Sequence, residues 1–186
     1  VVRLVGSEMC IRDRFNIEGY PSESFIELVL SVKPHQVTLV PDAPDAVTSN
    51  AGWDTLTHQS FLKSIISDFR VAGIRTSLFV EAEPQYIEGA KLIQTDRIEL
   101  YTESYAQHFA TDKKQAVMPF LESAILAKEL GLGINAGHDL NLENLNYFAD
   151  TIPFLDEVSI GHALISDALY LGLEKTVESY KNCLKR

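Results

Sequence analysis

A short apolar strand that ends in a small-residue turn and a helix start recurs along this chain. In its clearest copy, Gly131–Leu142, the apolar run stops at Asn135, and Gly137 turns the chain toward His138. Asn141 then has the residue type that caps a helix. This order recurs roughly six times, and no two strands are joined by a hairpin signal. The other copies begin near Phe15, Val37, Ser77, Arg97 and Glu157.

The alternation of strands and helices predicts a parallel β-sheet with helices outside it. Right-handed crossovers leave two arrangements, an open doubly wound α/β sheet or a closed barrel. We favour the barrel, because inward side chains then converge on one axis, whereas an open sheet would spread them along an edge. A closed (β/α)8 TIM barrel needs eight strands. We therefore expect a TIM barrel lacking about its first two βα units, both absent before Phe15.

The bulk composition fits one globular domain. The chain has 186 residues, of which 46% are hydrophobic and 23% are charged, so it is long enough to bury a substantial core. Its formal net charge of −10 argues against nucleic-acid and anionic-membrane partners, which select basic surfaces. Small phosphorylated substrates remain compatible, because backbone amides at helix N-termini bind anions whatever the net charge.

The cysteines and the absence of certain motifs indicate the compartment in which the protein works and whether it needs a metal or a membrane. Cys10 and Cys183 lie near opposite ends of the chain and lack metal-ligand spacing. Incidental thiols fit a reducing compartment, so we expect a cytoplasmic protein. The sequence has neither an apolar run of membrane-span length nor an HExxH or paired CxxC motif. We therefore expect no membrane association and no metal cofactor.

The first fourteen residues, Val1–Arg14, do not follow the strand–turn–helix pattern. We interpret them as a leader that is foreign to the domain, and we place the partial barrel domain at residues 15–186. A genuine N-terminal arm is the alternative interpretation.

Two glutamates indicate a candidate site. Glu18 and Glu99 alternate with apolar residues along their strands, so both should point into the barrel. Burying a carboxylate costs free energy unless it is paired with a cation or serves a function such as catalysis, and the pKa values of such groups are often perturbed. A single strand-end glutamate could equally form a structural ion pair, for example with Arg97. Two of them at the same end of the sheet favour a functional role.

Residues in the turns after the strands complete the candidate site. His138 follows Gly137 at a strand exit, and an imidazole suits acid–base catalysis near neutral pH. A polar surface histidine is the plain alternative. Gly161 and His162 precede a helical segment whose first amides could hold a phosphate, although an ordinary βα turn also uses glycine. Asp45–Thr55 is too long and polar for a plain connector, so we expect a substrate loop there.

From Phe15 onward the chain resembles the pyridoxine 5′-phosphate synthase family. The resemblance rests on five segments in order: FNIEGYP, VTLVPDAPDAVTSNAGWD, RIELYTESYA, GLGINAGHDL and VSIGHALISDAL. It implies a (β/α)8 barrel, a dimer-based homo-oligomer (an octamer in the family), and neither a metal nor an organic cofactor. The implied reaction condenses 1-deoxy-D-xylulose 5-phosphate with 3-amino-2-oxopropyl phosphate to give pyridoxine 5′-phosphate, phosphate and water.

The same resemblance implies roles for individual residues. Glu18 matches the family's general base, Glu99 the carboxylate that stabilises the transition state, and His138 the acid/base histidine. Some members have glycine where this chain has Asp139, so the resemblance implies only a backbone role at that position. The matched substrate-binding positions are Thr48, Asp139, Gly161 and His162.

The family's first two strands carry an Asn-Ile-Asp-His segment and a His-Leu-Arg segment that have no counterpart before Phe15. The resemblance therefore implies a truncated copy, and we expect the chain as given to be an inactive fragment. Two alternatives stay open. One is another phosphate-binding barrel enzyme, although an aldolase would need a strand-end lysine and an epimerase metal ligands or paired aspartates. The other is a non-catalytic relic or assembly partner.

Overall fold

The computed structural model describes residues 3–5, 14–42 and 49–185, in which strands and helices alternate. The strands are β1 Arg3–Val5, β2 Asn16–Gly19, β3 Gln36–Leu39, β4 Arg75–Val80, β5 Arg97–Tyr101, β6 Gly133–Gly137 and β7 Leu155–Ser159. The helices are α1 Glu23–Val32, α2 Gln59–Val71, α3 Pro84–Ile93, α4 Glu103–Glu129, α5 Leu145–Thr151, α6 His162–Leu171 and α7 Leu173–Cys183.

All of these strands belong to one sheet, and their order in the sheet is their order in the chain. Each strand from β2 to β7 is parallel to the next, as expected for consecutive right-handed βα units. β1 runs antiparallel along the free edge of β2, where the sequence pattern indicates no strand. The division into a leader at residues 1–14 and a domain at residues 15–186 stays a prediction.

Contacts between distant strands show that the sheet is strongly curved. Glu157 of β7 accepts a hydrogen bond from Arg75 of β4, with Nη2 and Oε1 2.9 Å apart. Arg14, which precedes β2, reaches the same carboxylate at 2.8 Å. Neighbouring strands lie about 4.8 Å apart, so β4 and β7 would be about 14 Å apart in a flat sheet. The six parallel strands therefore form a curled half-barrel with charged side chains on its inner face.

The cluster around Glu157 gives a first prediction. Its Oε1 lies 2.8 Å from Arg14, 2.9 Å from Arg75 and 3.9 Å from Arg97. Glu157→Gln would remove the carboxylate charge between these guanidinium groups, of which those of Arg75 and Arg97 are mostly buried. We expect the free energy of unfolding to fall by about 1–2 kcal/mol in urea denaturation at pH 7. Asp150→Asn, at an exposed position on α5, is the control; an equal urea midpoint for both variants would contradict the account.

The hydrophobic core lies between the sheet and the helices. Ile98 and Leu100 of β5 and Ile134 of β6 are fully or almost fully buried and belong to the main core cluster. The helices contribute their apolar stripes to it, among them Phe69 of α2 and Phe120 of α4. This confirms the predicted alternation along β5, because Glu99 lies between two core residues and must face the inside of the sheet.

The start of α4 lies in a segment of polar composition. From the sequence, Thr102–Thr111 is expected to be a polar loop, but α4 begins within it and continues past a break at Asp112 (φ −152°, ψ 90°). Tyr105 and Phe109 are spaced one helical turn apart, with ring centroids 5.5 Å apart, and Tyr105 is fully buried. This apolar pair outweighs the polar composition of the segment, because burial of one face is enough to stabilise a surface helix.

The C-terminal segment contains two helices. The sequence from Ala163 to the C-terminus predicts one helical tail, but the segment consists of α6 and α7, which are separated at Gly172 (φ +81°). A left-handed residue ends a helix, and glycine adopts that conformation without strain.

Within the residues that the structure describes, no helix is long and apolar enough to cross a membrane.

Candidate functional site

The carboxyl ends of the parallel strands open onto a cavity of about 900 Å³. This is the end of a parallel α/β sheet at which ligands bind. Every predicted site residue except Thr48 lines the cavity; Thr48 lies outside the described residues. The structure thus brings together residues from four separate segments of the chain: Glu18, Glu99, His138 with Asp139, and Gly161 with His162.

Glu99 is a buried carboxyl group with a strongly raised pKa. Its side chain is 3% exposed. Burial, reinforced by the negative charge of Glu18, raises the pKa of Glu99 to about 8, although a hydrogen bond from Ser159 opposes the shift. Oε2 of Glu99 is buried and has no hydrogen-bond partner among the described residues. At neutral pH this carboxyl group is therefore mainly protonated and able to donate a proton.

Glu18 supplies the second carboxyl group of the cavity. It is 8% exposed and lies on β2, three strands away from Glu99 on β5. Its charge acts on Glu99 only because the sheet curls and brings the two inner faces together. Two neighbouring carboxyl groups in a buried site resist ionising together, so the charge of Glu18 favours the protonated form of Glu99.

Arg97 does not form an ion pair with Glu99. Such a structural ion pair was the alternative to a functional role for the glutamate. Its Nη1 lies 3.1 Å from Asp156 Oδ2 and donates a hydrogen bond to Asn135 Oδ1 at 3.0 Å. Arg97 begins β5 and Glu99 follows two residues later, so both face inward at different levels. Arg97 thus makes its contacts near the amino ends of the strands, whereas Glu99 faces the cavity.

Gly137 leaves the space that the Glu99 carboxyl group occupies. A Cβ atom at Gly137 would lie 2.2 Å from Glu99 Oε1 and 3.1 Å from Ser159 Cβ, so any side chain here would displace the Glu99 carboxyl group. Glycine is therefore required for Glu99 to keep its present position. The sequence indicates only a turn residue at Gly137, and it gives no signal for Ser159. Each depends on a neighbour in another strand, which no local pattern indicates.

His138 is held at the mouth of the cavity from several sides. The Thr102 hydroxyl donates hydrogen bonds to the carbonyl groups of Gly137, at 2.8 Å, and of His138. The ring of Tyr101 meets the imidazole edge-on, with centroids 4.8 Å apart. Nδ1 of His138 lies 3.1 Å from Oδ2 of Asp139. The imidazole is thus ordered before any substrate arrives, and its side chain is only 15% exposed.

Tyr101 connects this histidine to the predicted substrate loop. Its hydroxyl donates to Glu103 Oε2 at 2.5 Å and lies 3.3 Å from the carbonyl oxygen of Ser49. Burial and the neighbouring Glu103 carboxylate raise the pKa of Tyr101, so the phenol remains protonated. The Ser49 hydroxyl donates to Asp42 at 2.6 Å. These bonds join the two described flanks of the loop to the wall of the cavity.

Trp53 packs the end of this loop into the core. From the sequence alone, this tryptophan could be either a lid anchor or simple loop packing. The indole is 2% exposed, its Nε1 donates to the carbonyl oxygen of Leu39 at 3.0 Å, and its ring stacks on Tyr20 with centroids 6.0 Å apart. These contacts agree with loop packing and place the side chain away from solvent.

Gly161 and His162 are exposed where β7 leads into α6. Gly161 has φ −105°, and a Cβ atom added to it would meet nothing within 4 Å. The described residues therefore set no steric requirement for glycine at this position. A requirement would come from a ligand that approaches the backbone amides at the start of the helix.

The remaining histidines have structural partners. Nδ1 of His35 accepts a hydrogen bond from the backbone N–H of Phe15 at 3.0 Å. Nδ1 of His58 lies 3.1 Å from the Asp54 carbonyl oxygen, and His108 has a similar backbone contact. In the described part of the chain, no group of three or more His, Cys, Asp or Glu residues could hold a metal ion. A groove of about 750 Å³ between α2 and α3 lies in the outer helical layer, away from the strand ends.

Known proteins resemble this chain over most of its length. A family model described as pyridoxal phosphate biosynthesis protein PdxJ matches residues 5–186. The pyridoxine 5′-phosphate synthase of Bacteroides thetaiotaomicron is 61% identical over 175 residues, which is 94% of this chain and 74% of that protein. The synthase of Cytophaga hutchinsonii is 60% identical over 176 residues, 95% of this chain and 74% of that protein. The chain thus spans about three quarters of the length of these relatives.

A solved structure shares the fold at low sequence identity. The crystal structure of a xylose isomerase domain protein from Planctomyces limnophilus matches with a TM-score of 0.52. The match covers 86% of this chain and 66% of that chain at 10% identity, so it bears on the fold alone.

Proposed function

Because the chain belongs to the PdxJ family of pyridoxal phosphate biosynthesis proteins, we propose that the cavity at the strand ends carries out pyridoxine 5′-phosphate synthesis. The observation that carries this proposal is the buried carboxyl pair, Glu18 and Glu99, beside the ordered imidazole of His138. The substrates are 1-deoxy-D-xylulose 5-phosphate and 3-amino-2-oxopropyl phosphate, and the products are pyridoxine 5′-phosphate, phosphate and water.

The parallel strands β2–β7 are consecutive strands of a (β/α)8 barrel in this proposal. Support comes from their sequential parallel order, from the inward contact of Arg75 with Glu157, and from the structural match described above. The homo-oligomer, the cytoplasmic location and the absence of a cofactor remain predictions.

Ring closure needs groups that remove and return protons. An amine that attacks a ketone must lose a proton, and the resulting hydroxyl must gain one before it leaves as water. Glu18 acts as the base that removes protons from the substrate. Glu99, neutral and buried, donates a hydrogen bond where negative charge develops. His138, at the mouth, exchanges protons with leaving hydroxyl groups.

The charge distribution supports this division of roles. Glu99 is shielded from solvent, and the charge of Glu18 adds to the burial effect, so the proton of the pair resides mainly on Glu99. A base and a proton donor are thereby present in the same cavity at one pH, although the two side chains are chemically identical.

The phosphate groups bind to backbone amides at the end of β7 and to the turn after β6. Gly161→Val places a branched side chain where an anion must approach, so we expect about tenfold weaker binding of 1-deoxy-D-xylulose 5-phosphate by calorimetry. The fold should persist, because the added Cβ meets no neighbour. Gly161→Ala serves as the graded control with a smaller effect. Equal affinity of Gly161→Val and the unsubstituted protein would contradict this assignment.

A chimera tests the proposed function directly. In this chimera, the 175 residues of the Bacteroides thetaiotaomicron synthase that align with this chain are replaced by those of this chain. The rest of the synthase is kept, so the chimera has the full length of that protein. With both substrates we expect pyridoxine 5′-phosphate at about one turnover per second, a rate typical of enzymes. A hybrid that unfolds cooperatively but forms no product would contradict the proposal.

A further inference from the structure

The turn after β6 contains two successive residues with left-handed backbone conformations. His138 has φ +83° and Asp139 has φ +57°. Residues other than glycine adopt this region at a conformational cost, so contacts from elsewhere in the fold must hold the turn. The backbone conformation of His138 also sets the direction in which its imidazole leaves the chain. A group that holds this backbone therefore decides where the imidazole lies in the cavity.

Thr102, the residue after β5, faces this turn with two hydrogen-bond donors and is fully buried. Its backbone N–H donates to the carbonyl oxygen of Gly137 at 3.0 Å. Its hydroxyl group lies within hydrogen-bond distance of the carbonyl oxygens of both Gly137 and His138. Because the N–H already serves Gly137, the single hydroxyl hydrogen is available to the carbonyl group of His138.

The side chain of Thr102 does not serve the helix that it precedes. Thr102 is the N-cap residue of α4, and threonine is one of the residue types whose side-chain oxygen caps a helix. Here the side chain makes no capping hydrogen bond. The residue thus forgoes a contact that ordinarily stabilises a helix, and its hydroxyl group bonds to the neighbouring βα turn instead.

Other contacts support the turn on either side of this hydrogen bond. The carbonyl oxygen of Asp139 accepts a hydrogen bond from Asn144 Nδ2 at 3.1 Å. The ring of Tyr101 meets the imidazole of His138 edge-on, with centroids 4.8 Å apart and an angle of 82° between the ring planes. Since Tyr101 and Thr102 are consecutive, one short segment contacts both the side chain and the backbone of the histidine. Among these contacts, the hydroxyl group of Thr102 acts on the backbone of His138 itself.

We propose that Thr102 is a positioning residue, whose hydroxyl group holds the left-handed backbone of His138 and thereby keeps the imidazole in the cavity. Thr102 does not line the cavity, so it acts through the histidine and not on the substrate. This inference rests on the proposed function, because it takes His138 to be the acid/base group of the reaction.

Three variants separate the hydroxyl group from the rest of the residue. Thr102→Val keeps the shape of the side chain and the backbone N–H but removes the hydroxyl donor. Thr102→Ser keeps the donor and removes only the methyl group. Thr176→Val is the matched control, because Thr176 is fully buried on α7 and its hydroxyl oxygen has no hydrogen-bond partner among the described residues.

The imidazole signals of His138 test the inference without reference to activity. The ring-proton shifts are recorded by NMR in residues 1–186, with His138→Asn to assign them. The edge-on ring of Tyr101 displaces these signals from their values in water, so they report the place of the imidazole. We expect Thr102→Val to move them toward the shifts of a solvated histidine, whereas Thr102→Ser and Thr176→Val should leave them in place.

Turnover of the chimera supplies the second readout. Thr102→Val should lower kcat by about 10- to 100-fold, the scale of misplacing a reacting group by about 1 Å, with KM little changed. Thr102→Ser should retain most of the turnover, and Thr176→Val should turn over at the unsubstituted rate.

The inference is overturned if Thr102→Val leaves either the His138 signals or kcat at the unsubstituted values. It is also overturned if Thr102→Ser loses about tenfold or more in kcat, and this outcome decides the matter if the valine variant does not fold. If the His138 signals move as expected but the unsubstituted chimera is inactive, the positioning contact stands and the proposed function fails.

Discussion

Glu18→Gln is expected to lower kcat of the chimera by at least about two orders of magnitude, the usual scale for removal of a general base. The amide keeps the volume of the side chain and one hydrogen-bond acceptor, so KM should change much less. Steady-state turnover with both phosphorylated substrates measures the two constants separately.

The control for this variant is Glu27→Gln, which makes the same chemical change at an exposed position of α1. It should turn over at the rate of the unsubstituted chimera. If Glu18→Gln is as active as Glu27→Gln, the carboxylate on β2 takes no part in the reaction and the proposed mechanism is wrong.

Glu99→Gln should make the protein more stable while it impairs the reaction. The pKa of Glu99 is raised from 4.5 to about 8 in the folded protein. Between these values the folded state holds a proton that the unfolded state releases, so stability falls as the pH rises through this window. A glutamine stays neutral throughout. Relative to the unsubstituted chain, we expect the variant to gain about 2–4 kcal/mol at pH 8.5 and to change little at pH 4.5.

Urea unfolding of residues 1–186 at the two pH values measures this difference. Glu27→Gln is again the matched control and should change stability equally little at both values. A Glu99→Gln variant that is less stable than the parent chain at pH 8.5 would show that the carboxylate stabilises the fold. A stabilising substitution that removes activity is the expected signature of a side chain kept for function.

Local signals in the sequence are enough to place several helix ends. Ser22 caps α1 by accepting a hydrogen bond from the backbone N–H of Phe25, and Gly73 and Gly131 adopt the left-handed conformations that follow helices. Pro84 is the first residue of α3, as its type predicts. These features depend on a few consecutive residues, so a sequence pattern is enough to place them.

Features that depend on distant residues were missed. The strand β1 exists through its pairing with β2, and the start of α4 depends on burial of Tyr105 against the core. Neither is visible in the local composition. The sequence could indicate which side chains alternate along a strand, but not which strands a curled sheet would bring together.

The same distinction applies to the candidate site. Alternation along β2 and β5 predicted that Glu18 and Glu99 face the same interior, which the structure confirms. The space left by Gly137 and the hydrogen bond from Ser159 involve side chains in different strands. The contact of Asp139 with His138 joins adjacent residues, yet it depends on two left-handed backbone conformations that no motif in the sequence specifies.

The central claim is that Glu99 carries the proton of a buried carboxyl pair while Glu18 acts as the base. Carboxyl ¹³C shifts of glutamate-labelled residues 1–186, followed from pH 4 to pH 9 and assigned with Glu99→Gln, test it most directly. We predict that Glu99 titrates near pH 8 and that Glu18→Gln moves its midpoint to lower pH, because the charge of Glu18 contributes to the shift. A Glu99 signal that titrates near its ordinary value of 4.5, with no response to Glu18→Gln, would contradict the account.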